Sequence, residues 1–134
     1  MSGANVEIVR RQVESFNRRD PDAMAEAWHP EATWEPASVT PVEGRPYVGP
    51  HGIRTFLNNY AETWAESRLA YGEFIDLGER VLALGTLEVR HRDSSVPISR
   101  PHAMLYEFRD GLIIRLRSYL DHEEARAAAR ATEP

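Results

Sequence analysis

His102 and Asp121 are the side chains of this sequence best placed for proton chemistry. In the run from Ile98 to Phe108, alternation puts Arg100, His102, Met104, Tyr106 and Phe108 on one face of a strand and Ser99, Pro101, Ala103, Leu105 and Glu107 on the other. The first face carries the larger rings. Turned into the protein, it makes His102 the one group there that titrates near neutral pH, available as general acid or base. A histidine hydrogen-bonded near a rim, with no catalytic duty, is the alternative reading. Asp121 closes the last strand-like run, where burial that raised its pKa would make it a base. The segment Asp121-His122-Glu123-Glu124 is also an Asp-x-x-Glu capping pattern that opens a helix, and one residue can serve both roles.

Around these groups the sequence offers an apolar, ring-rich lining. Trp34 begins a strand beside a long helix whose inward stripe holds Phe56, Tyr60 and Trp64, while Met104 and Tyr106 share the face of His102. Ser118 is the polar member of an otherwise apolar strand face, Leu112, Ile114, Leu116 and Leu120. Aromatic rings with a polar edge suit a planar, partly oxygenated ligand, so these seven residues are the candidate ligand-binding set; simple core packing is the competing explanation. Trp28 is expected to pack a short helix against the core.

The elements that must position this lining follow from periodicity. Val6, Val9, Val13 and Phe16 recur at steps of three and four, predicting a helix over residues 4–18. Asp20 reads as an N-cap with Pro21 at the first helical position, opening a short helix through Met24, Ala27 and Trp28 that His29-Pro30 ends. A strand over 32–36, a Pro- and Gly-rich loop over 36–50 and a helix over 50–66 come next. The period then changes to two. Gly78-Glu79, Arg92-Asp93-Ser94 and Asp110-Gly111 separate four strand-like runs, Leu69–Leu77, Arg80–His91, Val96–Phe108 and Leu112–Leu120, before an Ala-rich helix. Helices first and a strand meander afterwards predict an α+β domain spanning residues 1–134, with helices on one face of a coiled sheet.

Composition removes several function classes. With no cysteine among 134 residues, disulfides, thiolate metal sites and cysteine nucleophiles are excluded. A net charge of −5 argues against nucleic acid as partner, and Arg109 to Arg117 alternate with Leu and Ile as a charged strand face would. Glu7, Arg10, Arg11 and Glu14 interrupt the first apolar positions, so no signal core or membrane segment is expected and a cytoplasmic location is. His29, His51, His91 and His122 fall at turns or helix starts without metal-ligand spacing, so no metal and no cofactor are expected.

The order of elements resembles the SnoaL-like branch of the nuclear transport factor two-like, or ketosteroid isomerase-like, superfamily. The resemblance rests on Asn17 to Met24 (NRRDPDAM), His29 to Pro36 (HPEATWEP), Tyr47 to Ile53 (YVGPHGI), Phe108 to Gly111 (FRDG) and Ser118 to Ala125 (SYLDHEEA). It implies a cone-shaped α+β barrel, its curved, mostly antiparallel sheet wrapped around three N-terminal helices, with a short C-terminal helix and a pocket inside the cone. It also implies a homodimer through the outer sheet face, where Arg115, Arg117 and Tyr119 lie and can pair with Glu88 or Glu107. Members include polyketide cyclases, isomerases, epoxide hydrolases, dehydratases and non-catalytic binding modules. Cyclases similar to this chain place near Asp121 an aspartate that removes a proton next to a carbonyl. Relatives carry a histidine at the position of Met104, two residues from His102. The carboxylates and Arg-x-Asp of epoxide hydrolases, and the tyrosine and aspartates of ketosteroid isomerases, have no equivalents here. The implied function is cyclase, isomerase or dehydratase chemistry on a hydrophobic carbonyl compound. A binding or scaffold module for a lipophilic metabolite is the alternative.

Overall fold

The computed structural model describes residues 2–35 and 47–131. Helix α1, Ser2–Asn17, turns Val9, Val13 and Phe16 into the core and closes with Arg19 in the left-handed region (φ 59°), its N–H donating back to the carbonyl of Phe16. Asp20 caps the next helix, α2 (Pro21–Ala25), by accepting from the Ala23 N–H at 3.1 Å.

Here the sequence expectation needs correction. The short helix does not continue through Trp28: strand β1 runs Trp28–Glu35, so Trp28 and His29 are strand residues. Pairing decides the matter, because Trp28 sits opposite Ile113 and its indole N–H donates to Gln12 Oε1 at 2.9 Å, while Gln12 donates to the Met24 carbonyl. A tertiary partner that the local pattern does not contain overrides it. Of the loop expected over 36–50, positions 36–46 lie outside the described residues. Tyr47–Val48 form β2 and Gly49–Thr63 form α3. Gly49 has φ +68°, and a Cβ there would lie 2.6 Å from the Pro30 carbonyl oxygen, so glycine is required where α3 meets β1.

Helix α3 also stops earlier than expected. Trp64 is its C-cap and the first residue of β3 (Trp64–Asp76), not a member of the helical stripe. Strands β4 (Arg80–His91), β5 (Ile98–Arg109) and β6 (Leu112–Tyr119) complete an antiparallel meander, and α4 (His122–Arg130) ends the described fold. The strand order is β2-β1-β6-β5-β4-β3, antiparallel throughout except for the parallel pair β1–β6, and the curved sheet is open rather than closed into a barrel.

Two layers follow. Met104, Tyr106 and Phe108 join Val81, Ala83, Leu116, α1 and α3 in the main core, while Ala103, Leu105, Leu82 and Leu84 pack on Ala125 and Ala129 of α4 on the other side. The alternation read from β5 therefore holds. That of β6 does not: a bulge between the pairs Glu107–Arg115 and Phe108–Ile113 inserts a residue, so Ile113, Leu116 and Ser118 are buried while Leu112 and Ile114 are not.

Curvature of the other half of the sheet depends on Gly85. A second bulge, between Tyr71 and Glu73, sets Tyr71 opposite Gly85, and a Cβ on Gly85 would strike the Ala70 carbonyl oxygen and lie 2.6 Å from Tyr71 Cα. Gly72, on the bulge itself, has open space at the same position. Gly85→Ala is therefore expected to destabilise the fold by about 1–3 kcal/mol and Gly72→Ala by much less, read from urea midpoints. Equal midpoints for the two variants would contradict this packing.

Candidate functional site

The site lies on the concave face of β3, β4 and β5, where three residues form one row. Tyr71 on β3 faces Gly85 on β4, and Gly85 faces His102 on β5. With no side chain on the middle strand, the Tyr71 ring extends across β4, and its hydroxyl lies 2.7 Å from His102 Nδ1, the two ring planes only 14° apart. Among the described residues His102 Nε2 has no hydrogen-bond partner. His102 is 4% exposed, and burial, with a smaller contribution from His122, lowers its pKa from 6.5 to about 4. Burial likewise raises the Tyr71 phenol. Both rings are therefore neutral at pH 7.

Tyr71 is the residue that sequence reading missed. A glycine inside a strand signals close approach of another group, and Gly85 carries that signal, but the identity of the visitor depends on the register of β3.

Above this row, at the mouth of the cone, is a cavity of about 120 Å³ bounded by Tyr60, Trp64, Leu87, Val89, Arg100 and Leu120 together with Ile98. Arg100 is one step along the inner face of β5 from His102, roughly 7 Å by strand rise. Below it the interior is filled. Trp34, Phe56, Met104 and Tyr106 are buried, with Trp34 and Phe56 ring centroids 4.2 Å apart and the Trp34 indole N–H donating to Ser118 Oγ at 3.2 Å. Of the candidate lining, then, Tyr60 and Trp64 border open space, and Trp34, Phe56, Met104, Tyr106 and Ser118 form the floor beneath. Tyr60 also borders a smaller cleft of about 90 Å³ beside Phe16, Arg19 and Leu57. A larger groove, about 460 Å³ by Glu79, Arg80, Arg109 and Arg130, lies toward the C-terminal end of α4; Tyr71 and His102 line neither it nor the mouth cavity, which Arg100 joins to His102 along β5.

Asp121 is exposed at the N-cap of α4, where Oδ1 accepts from the N–H groups of Glu123 (2.7 Å) and Glu124 (3.2 Å). It shares no hydrogen bond with His102 among the described residues; the neighbour that does reach this row is His122, whose Nε2 lies 2.9 Å from the Gly85 carbonyl and 3.2 Å from that of His102. On the outer face Arg117 pairs with Glu107 at 3.1 Å and Arg115 with Glu35 at 3.3 Å. No group of three or more acidic or imidazole side chains that could hold a metal occurs among the described residues, and no described helix is long and apolar enough to cross a membrane.

The SnoaL-like domain pattern matches residues 9–116. The chain belongs to the SnoaL-like family. Its structure is similar to that of an NTF2-like protein of unknown function from Burkholderia pseudomallei, at 26% identity and TM-score 0.79, over 96% of this chain and 98% of that one. It is also similar to TerC co-crystallised with polyporic acid, at 24% identity and TM-score 0.77, over 96% and 99% of the two chains. A ketosteroid isomerase-like fold from Catenulispora acidiphila, in complex with trimethylamine, aligns at 16% identity and TM-score 0.74 over 84% of each chain. No curated protein sequence matches significantly. The SnoaL-like match includes Tyr71, Gly85 and His102 and stops before Ser118 and Asp121.

A buried, neutral His102 has a consequence for stability. Its folded pKa of about 4 lies below the ordinary 6.5, so on acidification the unfolded chain takes up the proton first. The His102 contribution is complete above the unfolded value, falls between 6.5 and about 4, and levels off below that. Between about pH 7.5 and about pH 5 the loss is roughly 2 kcal/mol. Urea unfolding at these two pH values should show that much less acid sensitivity in His102→Asn than in the unaltered protein, whereas equal sensitivity would place the proton elsewhere.

Proposed function

We propose that this SnoaL-like protein binds a hydrophobic carbonyl compound at the cone mouth and that His102 acts on the carbonyl oxygen in a cyclase, isomerase or dehydratase type of reaction. The observation that carries this reading is the Tyr71–His102 pair. A phenol is a better proton donor than a neutral imidazole, so Tyr71 is assigned as donor to Nδ1, which leaves the ring proton on Nε2. A neutral imidazole N–H in a dry site polarises a carbonyl and holds the developing enolate oxygen without a charged partner. Asp121, exposed at the N-cap of α4, is the candidate for the accompanying proton removal. That TerC co-crystallises with polyporic acid, and the Catenulispora protein with trimethylamine, supports a small organic ligand in this fold.

The proposal extends to a homodimer through the outer sheet face near Arg115, Arg117 and Tyr119, and to a cytoplasmic location. It includes no metal and no cofactor, since the imidazole supplies the polarising group.

A second reading is a binding module without turnover. The buried polar residues among those described are Asn5, Gln12, Ser15, His102 and Ser118, so none is a carboxylate, and a catalytic base within the interior would have to be supplied otherwise.

The test titrates carbonyl compounds, from monocyclic aromatic ketones to polyketides, steroids and terpenoids, against tryptophan fluorescence, then assays each binder for turnover. His102→Ala is expected to lower kcat by about 100-fold or more with the ligand still bound. Unchanged turnover in His102→Ala and Asp121→Asn would remove the catalytic assignment, and binding without turnover would establish the second reading.

A further inference from the structure

We infer that the mouth cavity takes its ligand as an organic anion, seating a portion about one ring in size, with the acidic oxygen on Arg100. This rests on the reading of the cone mouth as the ligand site and adds the charge and size of what enters it.

The walls of the cavity other than Arg100 are apolar or aromatic: Tyr60, Trp64, Leu87, Val89 and Leu120, with Ile98 at the edge. Arg100 is the charged member of the lining. Other arginines around the opening are committed. Arg19 donates to the carbonyls of Trp64 and Ala65, both at 3.0 Å, and so ties down the junction of α3 and β3. Arg90 pairs with Glu66 at 3.2 Å and donates to the Ser94 carbonyl, and Arg92 donates to the Ala61 carbonyl at 2.8 Å. Among the described residues Arg100 has neither a carboxylate nor a carbonyl partner. Arg100 is exposed at the edge of this apolar space, on the face of β5 that also carries His102, and its planar guanidinium can take a bidentate acidic group there.

Volume sets the size. A dry cavity of roughly 150 Å³ holds benzene, so about 120 Å³ takes most of one six-membered ring, with the remainder at the exposed edge by Ile98 and Arg100. The Trp64 and Tyr60 rings, with centroids 6.3 Å apart, offer aromatic surface to such a ring. The acidic group of a carboxylate, phenolate or enolate then faces Arg100, and larger ligands leave their remaining bulk outside the mouth.

Three isosteric probes that differ in charge test this: benzoate, benzamide and benzamidinium, titrated against the full chain by calorimetry with Trp64→Phe as a check on location. Benzoate is expected to bind about tenfold more tightly than benzamide, with benzamidinium weakest, and Arg100→Gln is expected to bring benzoate to the level of benzamide. Equal affinity for benzoate and benzamide, or an anion preference that survives in Arg100→Gln, overturns the charge assignment and leaves the ligand pocket standing. Binding of none of the three overturns both.

Discussion

The Tyr71 ring crosses β4 at the one point where that strand has no side chain, and the geometry of the site depends on this crossing. Gly85 lets β3 and β4 approach closely beside the bulge at Tyr71, and the same missing Cβ opens the lane through which a hydroxyl from β3 reaches an imidazole two strands away. A side chain on Gly85 would both push the strands apart and separate the pair. Sheet curvature and the state of His102 are thus set by the same atoms. His122 reinforces the arrangement from behind, with its Nε2 within reach of the carbonyls of Gly85 and His102, so the start of α4 is tied to the same row.

The interior is stratified by burial rather than uniformly open. Trp34, Phe56, Met104, Tyr106 and Ile113 close the base, where rings in contact and a satisfied indole N–H leave a packed floor. Toward the mouth the same aromatic column continues through Tyr60 and Trp64, but there it borders space. Residues of one kind in one column therefore do two jobs. Those at the base give the cone its rigidity, and those at the rim are available to a ligand. His102 sits at the boundary, buried enough to stay neutral and one strand step below Arg100.

Much of this was legible in the residues. Period-two alternation put Met104, Tyr106 and His102 on the inner face of β5, the Asp-x-x-Glu signal placed Asp121 at a helix cap, and turn signals separated the strands of the meander. What escaped were features that depend on pairing between distant segments. Trp28 reads locally as helical and is drawn into β1 by Ile113 and Gln12. Trp64 fits the stripe of α3 by spacing, yet it ends the helix because β3 starts there, opposite His91. The bulge in β6 shifts Ile113 inward at the expense of Leu112 and Ile114, and alternation cannot reveal an inserted residue. Tyr71 was invisible for the same reason: a partner across an intervening strand has no signature at any fixed sequence spacing.

The proposed chemistry requires His102 to be neutral, with Nδ1 engaged by Tyr71 and its proton on Nε2. Nitrogen-15 NMR of the His102 imidazole at neutral pH reads this directly, because the protonated and unprotonated ring nitrogens have well separated shifts. A proton on Nε2 alone is expected, and a mixture of tautomers once Tyr71 is replaced by Phe. A doubly protonated ring, or a spectrum indifferent to Tyr71→Phe, would contradict it.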